Sequence, residues 1–300
     1  MNKKSFFMAS ITVVIWASSF AGVRASLLGG YTPEHLVLVR FLIASSVFIF
    51  YSLLPNVRFT LPRKYDVWRI LLLGWTGITI YHVGLTFGME TITAGAASMI
   101  VGAAPIFTSI IAVIFLKEKM KNFAWIGLGI GFVGIVLITI GSSGASFSFS
   151  EGAFFVLIAT IATSVFFVFQ KPLYSRYKPI ELTAYFTWAG TLPLLIFLPG
   201  LWSNMQEATL SAHLAAIFVG LFPAALAYAT WSIALSLGNA SSVSTMLYIE
   251  PAIAIIIAWV WLKEWPNFLS LIGGAIAISS VVIVNLLGRQ TSSPERNLNT

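Results

Sequence analysis

The chain has 300 residues, 58% of them hydrophobic and 9% charged, with a net charge of +7 and a mean hydropathy of +0.91. A water-soluble domain carries roughly 25% charged residues, so this composition excludes a soluble globular protein and predicts an all-α polytopic membrane protein. The lysines and arginines fall mostly in short loops between apolar runs, where they act as topology signals rather than as a nucleic-acid surface. With no cysteine, disulfides, thiolate metal sites and thiol nucleophiles are excluded.

Apolar runs of about 20 residues, each long enough to cross a hydrocarbon core of roughly 30 Å, are taken in chain order. The first, 6–27, follows Lys3 and Lys4 as in a signal peptide, but its apolar segment is longer than a typical h-region and further spans follow, so it is expected to stay uncleaved. The second covers 34–54 and precedes the longer loop "PNVRFTLPRKYD". Spans at 67–89, 93–116 and 122–141 complete the first half. The second half runs through 151–171, 180–199, 211–235, 239–262 and 268–287, and a polar tail occupies 289–300. Ten spans put both termini on one side of the membrane, and 14 of the 17 lysines and arginines then share that side. Both termini are therefore expected in the cytoplasm, with the protein in the plasma (inner) membrane.

The chain repeats itself at an offset of 146. Pro33 meets Pro179, Gly74 meets Gly220, Pro105 meets Pro251, and "LKE" at 116–118 meets "LKE" at 262–264. Residues 1–146 and 147–288 are thus expected to be two five-helix units. Five is odd, so the second copy must enter the membrane upside down, giving ten transmembrane helices as a 5+5 inverted repeat. Such repeats place a substrate site near the bilayer midplane, where the halves meet.

Polar residues within the spans mark candidate functions. Ser98, Gly102, Pro105 and Ser109 share one face of the fourth helix, and Ser244, Tyr248, Pro251 and Ile255 are their counterparts on the ninth. Proline inside a helix removes a hydrogen bond, so Pro105 and Pro251 are candidate hinges. Glu250 sits in the ninth span opposite Ala104 of the first copy, and intramembrane acids are functional candidates by default. Arg40 corresponds to Phe186, Arg24 to Gln170 and His82 to Tyr228. Arg40 is the expected charge partner of an ionised Glu250, with Arg24 in the same outer half; the alternative is that both arginines snorkel outward while Glu250 stays protonated. Structural pairing, substrate contact and proton coupling all stay open for Glu250. A regular helix would point Tyr248 and Glu250 to nearly opposite sides unless the proline kink redirects the acid. Trp16 and Tyr248, near mid-helix, could wall a site, whereas Trp68, Trp125, Trp202 and Trp265 read as interfacial belt residues. The small-residue faces Gly127, Gly129, Gly131, Gly134 and Gly273, Gly274, Ala277 suit close packing, within the bundle or between copies in a homodimer.

"WASSF" at 16–20, "RF" at 40–41, and a proline (Pro105, or Pro251 within "EP") followed by an acid at the helix end (Glu118 or Glu264) occur in order across about 6–287. This pattern resembles the drug/metabolite transporter superfamily, specifically its EamA-type ten-helix transporters. Ala17, Lys117 and Lys263 depart from it where glycine is usual. The resemblance implies a cavity bounded mainly by helices 1, 3, 4, 6, 8 and 9, opened alternately to either side. Its contributors here would be Trp16, Ser19, His82, Ser98, Gln170, Tyr228, Ser244 and Tyr248. It further implies export of amino acids, related metabolites or toxic organics. The expected partners are a small-molecule substrate and the lipid bilayer, with no nucleic acid, metal or cofactor. Enzymatic function is not expected: no phosphate-binding glycine loop occurs, the histidines lack metal-ligand spacing, and the single aspartate, Asp66, falls in a loop. A non-transporting scaffold or receptor is the alternative.

Overall fold

The computed structural model describes residues 3–116, 122–141, 150–237, 243 and 245–287, and among these there are helices and no strand. The helices are α1 (Lys3–Leu28), α2 (Pro33–Ser52), α3 (Lys64–Gly74), α4 (Tyr81–Thr91), α5 (Ala94–Gly102), α6 (Ala104–Leu116) and α7 (Asn122–Gly141). They continue as α8 (Glu151–Gln170), α9 (Pro179–Leu194), the short α10 (Leu201–Glu207), α11 (Leu210–Leu221), α12 (Ala227–Leu237), α13 (Glu250–Leu262) and α14 (Phe268–Leu287). Six helical stretches are long and apolar enough to cross a membrane: 3–28, 33–52, 64–91, 151–175, 179–197 and 210–237. The other apolar helices are shorter. The protein is a multi-pass, all-helical integral membrane protein.

Several predicted spans are broken, and the breaks recur at the repeat offset. One π-helical turn, Trp75–Ile80, joins α3 to α4, and another, Phe222–Leu226, joins α11 to α12. Pro223 supplies no backbone N–H to the second turn. In the first, Gly77 lets the chain lie against the Phe166 ring, with which any Cβ there would collide. The fourth predicted span breaks at Ala103 (φ −85°, ψ 0°), two residues before Pro105. Its counterpart changes from 3₁₀ turns over Thr245–Ile249 to α13 at Glu250, just before Pro251.

The helices of one half pack chiefly on those of the other. The α1 helix lies against α11, α12 and α13, while α4 lies against α8 and α3 against α9. Repeat partners also touch each other. The Ser45 and Thr191 hydroxyls, 146 residues apart, hydrogen-bond at 2.8 Å. Along the α7–α14 contact Gly131 faces Ser280, Gly134 faces Ala277, Gly273 faces Ile138 and Gly141 faces Ser270. Residue numbers rise along one helix as they fall along the other, so these repeat-related helices run antiparallel. The glycines bring the two backbones together: a Cβ on Gly134 would stand 2.6 Å from the Ala277 nitrogen and 2.7 Å from the Gly273 oxygen. Small residues at helix contacts are the usual means of association in lipid, where apolar burial supplies little drive.

After α13 the chain turns at Lys263, in the left-handed region (φ 58°) that glycine adopts without steric cost. The turn delivers Glu264 to the end of α1.

Candidate functional site

A cavity of about 40 Å³ lies at the seam between the halves, roughly the room that two or three waters need. From the first half it is lined by Trp16, Ser19, Arg40, Tyr81 and His82, and from the second by Thr163, Phe167, Tyr228, Leu247 and Glu250. The two proline-adjacent breaks border it. Gly102 and Ala104 flank the α5–α6 break and border it, and Pro251 packs on Gly102. Glu250, where the 3₁₀ turns give way to α13, borders the cavity.

Arg40 is 2% exposed. Its Nη2 donates to the Ser19 hydroxyl at 3.0 Å and its guanidinium carbon lies 5.7 Å from the Phe41 ring centroid. Its Nε and Nη1 have no acceptor among the described residues. Glu250 is 6% exposed and borders the same cavity, yet among the described residues no Arg40 nitrogen lies within the 4.0 Å of an ion pair from a carboxyl oxygen. Each buried donor left unpaired costs about 1–3 kcal/mol, and a charged one costs more. A buried guanidinium and a buried carboxyl group therefore border one small cavity without an ion pair between them.

His82 and Tyr228, repeat partners 146 residues apart, hydrogen-bond to each other at 3.0 Å across the seam, while His82 Nδ1 is unpartnered. Trp16 donates through Nε1 to the Pro223 carbonyl at 3.2 Å, accounting for a carbonyl in the π turn, and its ring meets Tyr228 edge-on at 5.3 Å. Trp16, Ser19, Arg40, His82, Tyr228 and Glu250 are thus brought together.

Other predicted residues lie elsewhere. Arg24 is not at the cavity: its Nε donates to Glu264 at 2.9 Å and its Nη1 to the Met89 and Glu90 carbonyls at 2.8 and 2.9 Å. Glu264 also accepts the Ala94 N–H at 3.3 Å, so this cluster ties together the ends of α1, α4, α5 and α13. Ser98 is buried with its hydroxyl donating to the Gly95 carbonyl at 2.7 Å. Gln170 accepts from the Tyr174 hydroxyl at 3.0 Å, away from the cavity. Ser244 lies outside the described residues, as do the side chains of Tyr248 and Pro105. Asp66, expected in a loop, is 1% exposed in the first turn of α3, bound by Arg176 at 2.7 Å and by the Tyr177 hydroxyl at 2.9 Å. It fastens α3 to the turn after α8. Tyr81 and Thr163 line the cavity without having been expected there. The repeat partner of Tyr81 is Ala227 and that of Thr163 is Ala17, so the polar-against-apolar comparison that marked Arg40 and Glu250 would also have marked them.

An all-helical membrane protein with a cavity lined by Arg40 and Glu250 from the two sequence-related halves has features expected of a small-molecule transporter. The sequence profile of the EamA-like transporter family matches this chain twice, over residues 3–140 and 150–286. The chain belongs to that family. It is 39% identical over 277 residues to the uncharacterized transporter YdfC of Bacillus subtilis, covering 92% of this chain and 89% of the relative. It is 34% identical over 297 residues to a probable terminal-alkyne amino-acid exporter of Streptantibioticus cattleyicolor, covering 98% of each. A solved crystal structure superposes with a TM-score of 0.67 at 21% identity, covering 95% of this chain and 99% of the other, which shows a shared fold.

Proposed function

We propose that this protein is a secondary transporter that exports small metabolites, such as amino acids or amphipathic organics, by alternating access at the central cavity. In this reading residues 1–146 and 147–288 form two five-span halves of opposite topology. Both termini and the 289–300 tail face the cytoplasm from the plasma membrane. The antiparallel contact between repeat-related α7 and α14 supports the inversion. Inverted halves can exchange roles and so expose one site to each side in turn.

The observation that carries the proposal is the cavity itself: charged, bounded by both halves, and about 40 Å³ in volume. A pore would be continuous and wet, whereas a carrier passes through a closed form. Under the proposed topology the Arg24–Glu264 cluster lies on the outer side and seals it. Pro105 and Pro251 then act as hinges, because the helix breaks at Ala103 and Ile249 adjoin the cavity. The likeness to a probable amino-acid exporter supports amino acids as one substrate class.

Counterflow in liposomes tests the proposal. Vesicles containing the purified protein and preloaded with unlabelled solute should concentrate the labelled solute transiently and saturably for at least one amino acid or amphipathic organic. No saturable counterflow across a broad panel of both would reject the carrier and favour a non-transporting scaffold or receptor.

A further inference from the structure

Arg40 and Glu250 present a physical problem that membrane insertion alone does not explain. A buried guanidinium is ordinarily closed by a carboxylate in a planar, charge-assisted pair. Here the carboxyl group of Glu250 lies on the same cavity, yet the two are not joined. Ser19 satisfies only Nη2 of Arg40, a residue of the cavity wall, and Nε and Nη1 are buried with no acceptor among the described residues. Glu250 has no hydrogen-bond donor among the described residues. The remaining ionisable groups on the cavity do not neutralise either charge: His82 Nε2 and the Tyr228 hydroxyl are engaged with each other, and Tyr81 brings a phenol.

We propose that Arg40 and Glu250 form a two-pole reader for a small zwitterion, Arg40 taking its carboxylate and Glu250 its ammonium. This rests on the transport reading above and specifies the chemistry of its site. The apolar part of the cavity wall, Trp16, Phe20, Leu85, Phe167 and Leu247, fits an aliphatic or aromatic side chain, so the ligand class is an apolar α-amino acid. In this structure about 40 Å³ admits only water-sized bodies. Ligand therefore enters when the halves move apart at the breaks near Ala103 and Ile249, and the two charges are bridged through it. A substrate lacking either charge leaves one buried ion unpaired, which is how a site built to bond a polar group rejects an analogue without it.

Three matched probes separate the poles: L-leucine, isoamylamine (leucine without its carboxylate) and isocaproate (leucine without its ammonium). Each competes against labelled L-leucine counterflow in liposomes containing the full chain. In the unmodified protein leucine should compete at a concentration at least tenfold lower than either analogue. Arg40→Gln should abolish the preference for leucine over isoamylamine, and Glu250→Gln the preference for leucine over isocaproate. If a variant does not fold, the unmodified protein still decides: leucine must raise its melting temperature more than either analogue does. Counterflow of leucine without charge discrimination, or discrimination retained in both variants, overturns the two-pole reader and leaves the carrier standing. Transport of solutes that excludes all three probes also overturns it. Failure of every solute to exchange overturns the carrier, and the reader with it.

Discussion

The hydrogen bond between His82 and Tyr228 is, like that between Ser45 and Thr191, a point where the two halves meet residue for residue, each side chain bonding its own counterpart, here at 3.0 Å. In Tyr228→Phe the hydroxyl is lost and His82, whose Nδ1 already lacks a partner, keeps both ring nitrogens unpaired in a buried site. The expected cost is about 1–3 kcal/mol, read as a drop of several degrees in detergent melting temperature. Replacing His82 by Phe as well should recover part of that loss, giving a coupling of about 0.5–3 kcal/mol. Strictly additive losses would show that the bond carries no energy. At this scale the sequence was informative where the two copies differ in polarity. Arg40 against Phe186 and Glu250 against Ala104 each led to the cavity. It was uninformative for Ser98, because a helical serine can return its hydroxyl to the preceding turn, as Ser98 does to Gly95. Arg24, read from the sequence as a charge-pair candidate, pairs with Glu264 at the helix ends rather than with Glu250, because depth in the membrane says nothing of azimuth.

Helix pairing is set by small residues, and α7 shows how selectively. At Gly134 a new Cβ would press on the backbone of α14, which cannot yield as a side chain can, whereas at Gly129 it would meet nothing within 4 Å. Gly134→Leu should therefore destabilise by at least the 1–3 kcal/mol typical of overpacking and lower the yield of folded protein. Gly129→Leu should be nearly neutral. Equal effects in a thermal-unfolding comparison would remove α7–α14 packing from the account. The sequence revealed this stripe but not which glycines face the partner, since Gly127, Gly129, Gly131 and Gly134 span more than one side of the helix. It also placed the breaks at Pro105 and Pro251 while giving no sign of the turn at Trp75–Ile80. That π turn holds no proline. It follows from tertiary packing on α9, where Trp75 and Thr79 bond the Ala189 and Gly190 carbonyls at 3.1 and 2.7 Å.

For the molecule as a whole, the constant offset of 146 was the most legible feature, because matched prolines and a charged triplet persist where apolar composition alone would blur the match. The size of the central space was not legible, since helix tilt and side-chain packing decide how much room is left. The account's central claim is that this space opens to each side of the membrane in turn. The chain contains no cysteine, so a single Leu85→Cys places one thiol on the cavity wall without disturbing a polar contact. Reaction of that thiol with a membrane-impermeant reagent, measured in right-side-out and in inside-out vesicles, tests the claim most directly. The account predicts labelling from both faces, with substrate on one side changing the rate at each. Labelling from one face alone under every substrate condition, or from neither, would contradict it.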